Sequence, residues 1–203
     1  MTREEEQNII ALVVGGDSNA FEALVLENQT QVYNLCLKMT GSEEDAFDLS
    51  QEAFLKAFNN LDKFRGDSKF SVWLYRLTSN ICIDFIRKKR RRQETSLSME
   101  DEDGAEDELQ LPDERFSPET ELERKELRRA VDDGLRQLPA DYRNILVLRE
   151  LNGLSYDEIA QALEMEVGTV KSRIFRARKK LCAILLRHGN IADAVSSYKS
   201  KGV

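Results

Sequence analysis

Apolar side chains recur at every third or fourth position over long stretches of this chain, the repeat of a helix with one buried face. Phe21, Leu24, Val25, Val32, Leu35, Cys36 and Met39 form the first stripe, behind a start signal at Asp17-Ser18-Asn19 and ahead of a stop at Gly41. Ser42 with Asp45 three residues on resembles a capping box. The helix it opens carries Ala46, Phe47, Ala53, Phe54, Ala57, Phe58 and Leu61 on its predicted core side. Its other face holds Glu44, Asp45, Asp48, Gln51, Glu52 and Lys56, which as a pattern describes a solvated surface. A third helix is predicted from Asp67 or Ser68 to about Arg92, with Phe70, Leu74, Leu77, Ile81 and Phe85 as its stripe.

The C-terminal part repeats the helical period in shorter pieces. Pro139 and Asp141 open a helix through Arg149, and Asn152-Gly153 stops it. Ser155 and Glu158 make an S-x-x-E capping box for a short helix holding Ile159, Ala160 and Leu163. After a tight turn, Gly168-Thr169 opens a longer helix that buries Val170, Ile174, Ala177 and Leu181. That helix exposes Lys171, Ser172, Phe175, Arg176, Lys179 and Lys180. Two helices about a short turn, the second basic on its free face, describe a helix-turn-helix able to enter a DNA major groove. A plain helical hairpin is the alternative.

Composition sets the class. Of 203 residues, 41% are hydrophobic and 33% charged, with only three prolines and ten glycines, which fits helices better than a turn-rich β-sandwich. No stretch approaches the ~20 apolar residues of a membrane span. The start, Met1-Thr2-Arg3-Glu4-Glu5-Glu6, is acidic where a secretory signal is basic and then apolar. A soluble, cytoplasmic protein without membrane insertion is expected. Cys36, Cys82 and Cys182 are odd in number and form no C-x-x-C pair, so buried small hydrophobes are expected rather than a disulfide or zinc site. The one histidine, His188, reads as a solvated residue near a helix end. No metal, cofactor or catalytic residue is expected.

Charge changes the picture. The formal net charge of −7 argues against nucleic acid only while it is averaged over the chain. Residues 93–123 hold 13 acids and one base, residues 1–92 hold 14 acids and 13 bases, and residues 124–203 hold 16 bases and 10 acids. The middle segment, with Pro112, Pro118 and few large apolar residues, cannot offset the entropy of ordering by burial, so it is read as a flexible acidic linker. Its acids do not match the spacing of a calcium loop. The fold expected is therefore all-α, with two small helical domains, 1–92 and 124–203, joined by that linker.

On the third helix a second face carries Trp73, Arg76, Asn80, Asp84, Arg87 and Arg91 at spacings of three and four. Guanidinium groups hold phosphates and an aromatic ring stacks on an unpaired base. The run Arg87-Lys88-Lys89-Arg90-Arg91-Arg92 at the helix end suits the helix dipole and attracts a polyanion. A solubilising basic tail is the plainer reading of that run.

These residues resemble a known family, the bacterial RNA polymerase sigma factors of the extracytoplasmic-function (ECF) subgroup, from about residue 19 to residue 186. Asp45-Ala46-Phe47-Asp48-Leu49-Ser50-Gln51-Glu52-Ala53-Phe54 resembles the family's polymerase-binding helix. Phe64-Arg65-Gly66-Asp67-Ser68-Lys69-Phe70-Ser71-Val72-Trp73-Leu74-Tyr75-Arg76, with Asn80 and Asp84, resembles the segment that opens and reads the −10 element. Leu154-Ser155-Tyr156-Asp157-Glu158-Ile159-Ala160 and Val167-Gly168-Thr169-Val170-Lys171-Ser172-Arg173 resemble the reader of the −35 element. The resemblance implies that Asp45, Asp48, Leu49, Gln51 and Glu52 face core RNA polymerase. It implies that Arg65, Lys69, Trp73, Arg76 and Asn80, with Arg87 and Arg91 of the basic run, hold the melted promoter strand, one base turned out beside the loop 64–69. It implies that Arg149, Lys171, Ser172, Arg173, Arg176 and Lys179 meet the upstream duplex. An anti-sigma factor is an implied partner, and the acidic linker would follow polymerase channels meant for RNA.

Two residues depart from the family's pattern. Glu164 stands in the turn where glycine is frequent, and Glu166 where proline is. Glu164 is tolerable if its φ stays negative and costs stability otherwise. A stand-alone helix-turn-helix regulator is the alternative function, but nothing outside the core stripes looks like a dimer seam. A magnesium-dependent nuclease would need clustered acids on an ordered element, and only the face near Asp45 offers any. The expectation is a protein that performs no bond chemistry and acts by binding promoter DNA and polymerase together.

Overall fold

The computed structural model describes residues 1–96 and 118–187, and among these every regular element is helical. Four helices make the N-terminal half: α1 (Arg3–Val14), α2 (Phe21–Thr40), α3 (Glu43–Asn59) and α4 (Phe70–Ser96). Four make the C-terminal half: α5 (Pro118–Arg136), α6 (Ala140–Leu146, continued by a π-helical turn over Val147–Leu151), α7 (Tyr156–Leu163) and α8 (Val167–Arg187). Both ends of the segment expected as a linker, 93–96 and 118–123, are thus helical. The rest of that segment, His188 and residues 191–203 lie outside the described residues.

Many helix ends follow the caps legible in the chain, but the start signal at Asp17 caps a 3-10 turn over Ser18–Ala20 and no side chain caps α2 itself. Gly41 adopts φ 74° and its N–H closes α2 on the Leu37 carbonyl at 2.8 Å. Ser42 Oγ caps α3 by accepting from the Asp45 amide at 3.2 Å, but the Ser42 amide bonds Thr40 Oγ1, so only half of the expected box forms. The full box at Ser155 and Glu158 is present at 3.1 and 2.9 Å. A similar box joins Thr2 and Glu5 at the head of α1, a helix the apolar pattern did not reveal. Helix α4 starts at Phe70 rather than at Asp67 or Ser68, because its cap comes from outside the segment: the Phe70 amide donates to Glu6 Oε1 at 2.8 Å.

The N-terminal core packs α2, α3 and α4 around Leu24, Val32, Leu35, Met39, Phe70 and Leu74, all without exposure. Helix α3 contributes Ala46, Leu49, Ser50, Ala53 and Ala57 to it. Four of these are small and lie at helical spacing, so they let α3 lie close against α2 and α4. Ala46, Ala53 and Ala57 belong to the expected stripe, which is corrected at its phenylalanines and at Leu49. Phe47 is 57% and Phe58 38% exposed, whereas Leu49, expected to face polymerase, is 5% exposed. Cys36 and Cys82 are buried as expected, with Sγ atoms 3.7 Å apart, and their hydrogen bond together with burial pushes the Cys36 thiol far up. Cys182, expected inside, is exposed.

The C-terminal half buries Ile145, Leu148, Ile159, Val170, Ile174 and Ala177. Helix α5 meets α8 at Gly134, where an added Cβ would lie 2.9 Å from Leu185 Cδ2. The two halves then close on each other through Arg143, which is 7% exposed. Its Nε donates to the Leu135 carbonyl at 2.8 Å, and its terminal nitrogens donate to the carbonyls of Met39, Arg136 and Leu138. Those carbonyls lie at the C-terminal ends of α2 and α5 and in the turn after α5, where no helical amide remains to bond them. Burial lowers the Arg143 pKa, and nearby Arg136 adds to this. Beside it, Ser79 Oγ donates to Asn144 Oδ1 at 2.9 Å, in a buried contact between α4 and α6.

Replacing Arg143 by methionine takes its donors from all four carbonyls, of which Leu135 keeps the Leu138 amide at 3.1 Å. Urea unfolding of the Arg143→Met protein should show a loss of about 3 kcal/mol. A loss below ~1 kcal/mol would contradict the role assigned to the guanidinium.

Candidate nucleic-acid interface

Three surfaces carry the residues singled out in the sequence. The first is the outer face of α3. Asp48, Gln51 and Glu52 are exposed there, and Phe47 and Leu55 stand among them at 57% and 63% exposure. Large apolar groups between acids are unusual on a merely solvated helix face and suit a docking surface. Asp45 lies at the margin, half-buried and paired with Lys89 of α4 at 2.9 Å. Leu49 points into the core.

The second surface is α4 with the loop 64–69 before it. Arg65, Lys69, Asn80, Arg87 and Arg91 are exposed and Arg76 is half-exposed. Trp73 is not part of an exposed row. It is 9% exposed, with its ring 5.4 Å from Phe64 and 5.7 Å from Phe70 in a cluster of tilted and edge-on aromatics. The spacing of three that placed it with Arg76 is real, but the loop folds Phe64 back over that end of the helix. Trp73 is therefore part of this buried aromatic cluster instead of offering a free ring.

The third surface is α8. Lys171, Arg176 and Lys179 are exposed, Ser172 and Arg173 are half-exposed, and Phe175 stands out at 69%. Ser172 Oγ donates to the Thr169 carbonyl at 2.9 Å. Arg149 lies in the π-helical turn before α7. Its Nη1 donates to the Leu154 carbonyl at 2.7 Å, and its guanidinium lies 4.8 Å from the Tyr156 ring centre. Lys171 Nζ approaches the same ring from α8 at 5.8 Å, so one aromatic gathers two of the cations.

The turn between α7 and α8 is built on Glu164, the one non-glycine with positive φ among the described residues, at φ 53° and ψ 50°. The condition set by the sequence is thus not met, and the turn carries a strain of about 1 kcal/mol. Its carboxylate accepts from Arg76 Nη1 at 2.5 Å.

That contact belongs to a set that the linear reading did not show. Lys38 pairs with Asp132 at 2.6 Å, Lys69 with Glu158 at 3.0 Å, Arg76 with Glu164 at 2.5 Å and Arg87 with Asp141 at 3.7 Å. In each case the base comes from the N-terminal half and the acid from the C-terminal half. Helix α7 and its turn thus lie over the start of α4, and two carboxylates occupy cations that a phosphate would otherwise meet. The departure at Glu164 was the one signal in the sequence for this contact. The Ser155 amide, and then Lys69, hold the Glu158 carboxyl below its ordinary range. Its contribution is therefore present at neutral pH and is lost as pH falls through that lowered value.

Replacing both acids by their amides keeps the Ser155 cap, since a glutamine oxygen still accepts, but removes both ion pairs. Fluorescence titration of the full chain with a single-stranded DNA oligonucleotide should show about threefold tighter binding for the Glu158→Gln, Glu164→Gln protein. Unchanged affinity would mean that these pairs do not compete with phosphate.

Comparison with known proteins follows this geometry closely. Residues 24–92 match the family model of sigma-70 region 2, and residues 128–181 match that of sigma-70 region 4. The RNA polymerase sigma-H factor of Pseudomonas aeruginosa is 40% identical over 182 residues, covering 89% of this chain and 94% of that protein. The ECF RNA polymerase sigma-E factor of Escherichia coli K12 is 41% identical over 180 residues, covering 87% and 92%. Among solved structures, CnrH in complex with the cytosolic domain of CnrY superposes with a TM-score of 0.64 at 28% identity, over 89% of this chain and 97% of that one. RpoE of Bartonella quintana in complex with the anti-sigma factor NepR gives 0.62 at 25% identity, over 81% and 96%.

Proposed function

The chain belongs to the extracytoplasmic-function sigma factors of the sigma-70 family, and we propose that its three surfaces divide promoter recognition between polymerase, melted strand and upstream duplex. It binds core RNA polymerase and directs it to promoters; the stand-alone regulator is set aside, because relatives and family matches span both halves in order. The outer face of α3, with Asp48, Gln51 and Glu52 around Phe47 and Leu55, is the handle for polymerase. Asp45 adds to its rim, while Leu49 supports it from within.

Arg65, Lys69, Arg76 and Asn80 take the unpaired promoter strand, with Arg87 and Arg91 meeting phosphate beyond it. Turning one base out of the stack costs a few kcal/mol, which contacts to its edge offset. On α8, Lys171, Ser172, Arg173, Arg176 and Lys179 face the upstream duplex, with Arg149 gathered beside them by Tyr156. The protein performs no bond chemistry; its work is binding energy, directed by position. The two halves, 1–92 and 124–203, act as separate readers joined by the segment 93–123.

The observation that carries this reading is the closure itself. Lys69 and Arg76 are already held by carboxylates, so they are shaped for an anionic partner, and α7 must leave before a strand can enter. Polymerase binding, which holds the two readers apart along a promoter, supplies the opening. An anti-sigma factor is the natural antagonist, and the complex of Bartonella quintana RpoE with the anti-sigma factor NepR supports such a partner. No described helix is long and apolar enough to cross a membrane, and the place of action is with polymerase in the cytoplasm.

Gel filtration with bacterial core RNA polymerase should give co-elution, about one chain per polymerase. The Asp48→Arg protein should keep its helical circular-dichroism spectrum and fail to co-elute. Normal co-elution of that variant would sink the placement on α3. On α8, Arg176→Ala should weaken promoter use by about 1–3 kcal/mol if Arg176 reads a base, most strongly on the preferred upstream sequence. Equal losses on every upstream sequence would reduce it to a phosphate contact.

A further inference from the structure

The loop 64–69 must present Arg65 and Lys69 to a flexible strand, yet it buries little of itself. Phe64 anchors one end in the aromatic cluster, 6.0 Å from Phe70, and Phe70 anchors the other. Between them Arg65, Asp67 and Lys69 are exposed, and Ser68 Oγ donates to the Lys69 carbonyl instead of capping α4. A loop so poor in its own contacts loses conformational entropy when it binds, unless something orders it beforehand.

That order comes from α1. Arg3 Nη2 donates to the Gly66 carbonyl at 2.6 Å. One turn later, Glu6 Oε1 accepts from the Phe70 amide at 2.8 Å, in a part-buried bond across 64 residues of sequence. Next to it, Gln7 Nε2 lies 3.6 Å from where a Cβ on Gly66 would stand, and Gly66 has φ 74°. Positions 3, 6 and 7 share one face of a helix, so a single rigid element touches the middle and the end of the loop. Helix α1 is itself fixed, by the Thr2–Glu5 capping box, by buried Ile10 and by the pairing of the Met1 ammonium with Glu27 at 3.1 Å. The Glu6 carboxylate also lies at the positive end of α4, where its charge strengthens the cap.

We propose that α1 is a brace for the strand-reading loop, with Arg3 and Glu6 as positioning residues for capture of the melted promoter strand. This rests on the reading that the loop holds that strand. Neither side chain touches DNA; each fixes the backbone that carries Arg65 and Lys69. With the loop ordered in advance, base contacts are made without an ordering cost, and the wrong base is rejected because the loop does not adapt to it.

The test uses holoenzyme assembled from core polymerase and the full chain. The probe is a single-stranded DNA selected from a random pool on the wild-type holoenzyme, with its single-base variants. Glu6→Ala should weaken binding of the selected strand by about tenfold and narrow the spread of affinities among the base variants. Glu6→Gln keeps an oxygen acceptor for the Phe70 amide and should restore both. Arg3→Ala, which leaves the α4 cap in place, should give a smaller change in the same direction. Affinity for core polymerase should stay at the wild-type value in all three.

Wild-type strand affinity and discrimination in Glu6→Ala would overturn the brace, provided Lys69→Ala does weaken the strand. If Lys69→Ala and Arg65→Ala also leave the strand unaffected, the placement of the strand on the loop is what fails. Loss of polymerase binding together with strand binding in Glu6→Ala would overturn the positioning role in favour of general stability.

Discussion

Helix C-termini carry carbonyls that no amide of their own helix can reach, and two such ends meet inside this molecule. The Arg143 guanidinium takes up the carbonyls of Met39 from α2 and of Leu135 and Arg136 from α5, with Leu138 beyond them. A charged group buried without a carboxylate is costly unless its donors are filled. Here the partial negative ends of two helices fill them. Nearby, a Cβ on Gly41 would lie 2.7 Å from Arg136 Cδ, so the C-cap glycine of α2 lets the Arg136 side chain lie directly against it. The joint between the halves therefore forms as one unit, and the surfaces on either side are set by it.

Around that joint the charges sort themselves. The C-terminal half is basic overall, yet Asp132, Asp141, Glu158 and Glu164 turn toward the N-terminal half and pair with Lys38, Arg87, Lys69 and Arg76. Lys171, Arg176 and Lys179 stay exposed on α8. Arg143 aside, the ion pairs across the joint take their acids from this half, while these bases of α8 face outward. The exposed pairs are individually weak and are screened by salt, so the joint depends on Arg143 and the Ser79–Asn144 contact, and the pairs tune it. The same cations serve a carboxylate in the closed chain and a phosphate in the open one, which makes closure and strand capture alternatives.

Where the linear reading succeeded and failed follows from what a periodicity contains. The stripe from Phe21 to Met39, the S-x-x-E box at Ser155 and the buried face of α8 are local signals, decided by residues within a turn or two of each other. On α3 the same reading placed Ala46, Ala53, Ala57 and Leu61 correctly but added Phe47 and Phe58 to the core and left Leu49 and Ser50 out. Close helix packing kept the small residues and left Phe47 outside, where it marks the docking face better than Leu49 does. On α4, spacing grouped Trp73 with the arginines, and only the fold-back of Phe64 removed it.

The sequence by itself determined six of the eight helices and their order (α1 and α5 were not legible), the acidic break between a neutral and a basic part, and the chemistry of three surfaces, because each depends on neighbours along the chain. The tertiary structure alone decided which large side chains of α3 stay outside, what caps α4, and what Lys69 and Arg76 hold in the closed chain. Glu6 reaches Phe70 across 64 residues, Glu158 reaches Lys69 across 89, and Arg143 reaches Met39 across 104. A helical repeat specifies which residues share a face. It contains no information about which distant group that face will meet, since that is settled by packing of whole helices against one another.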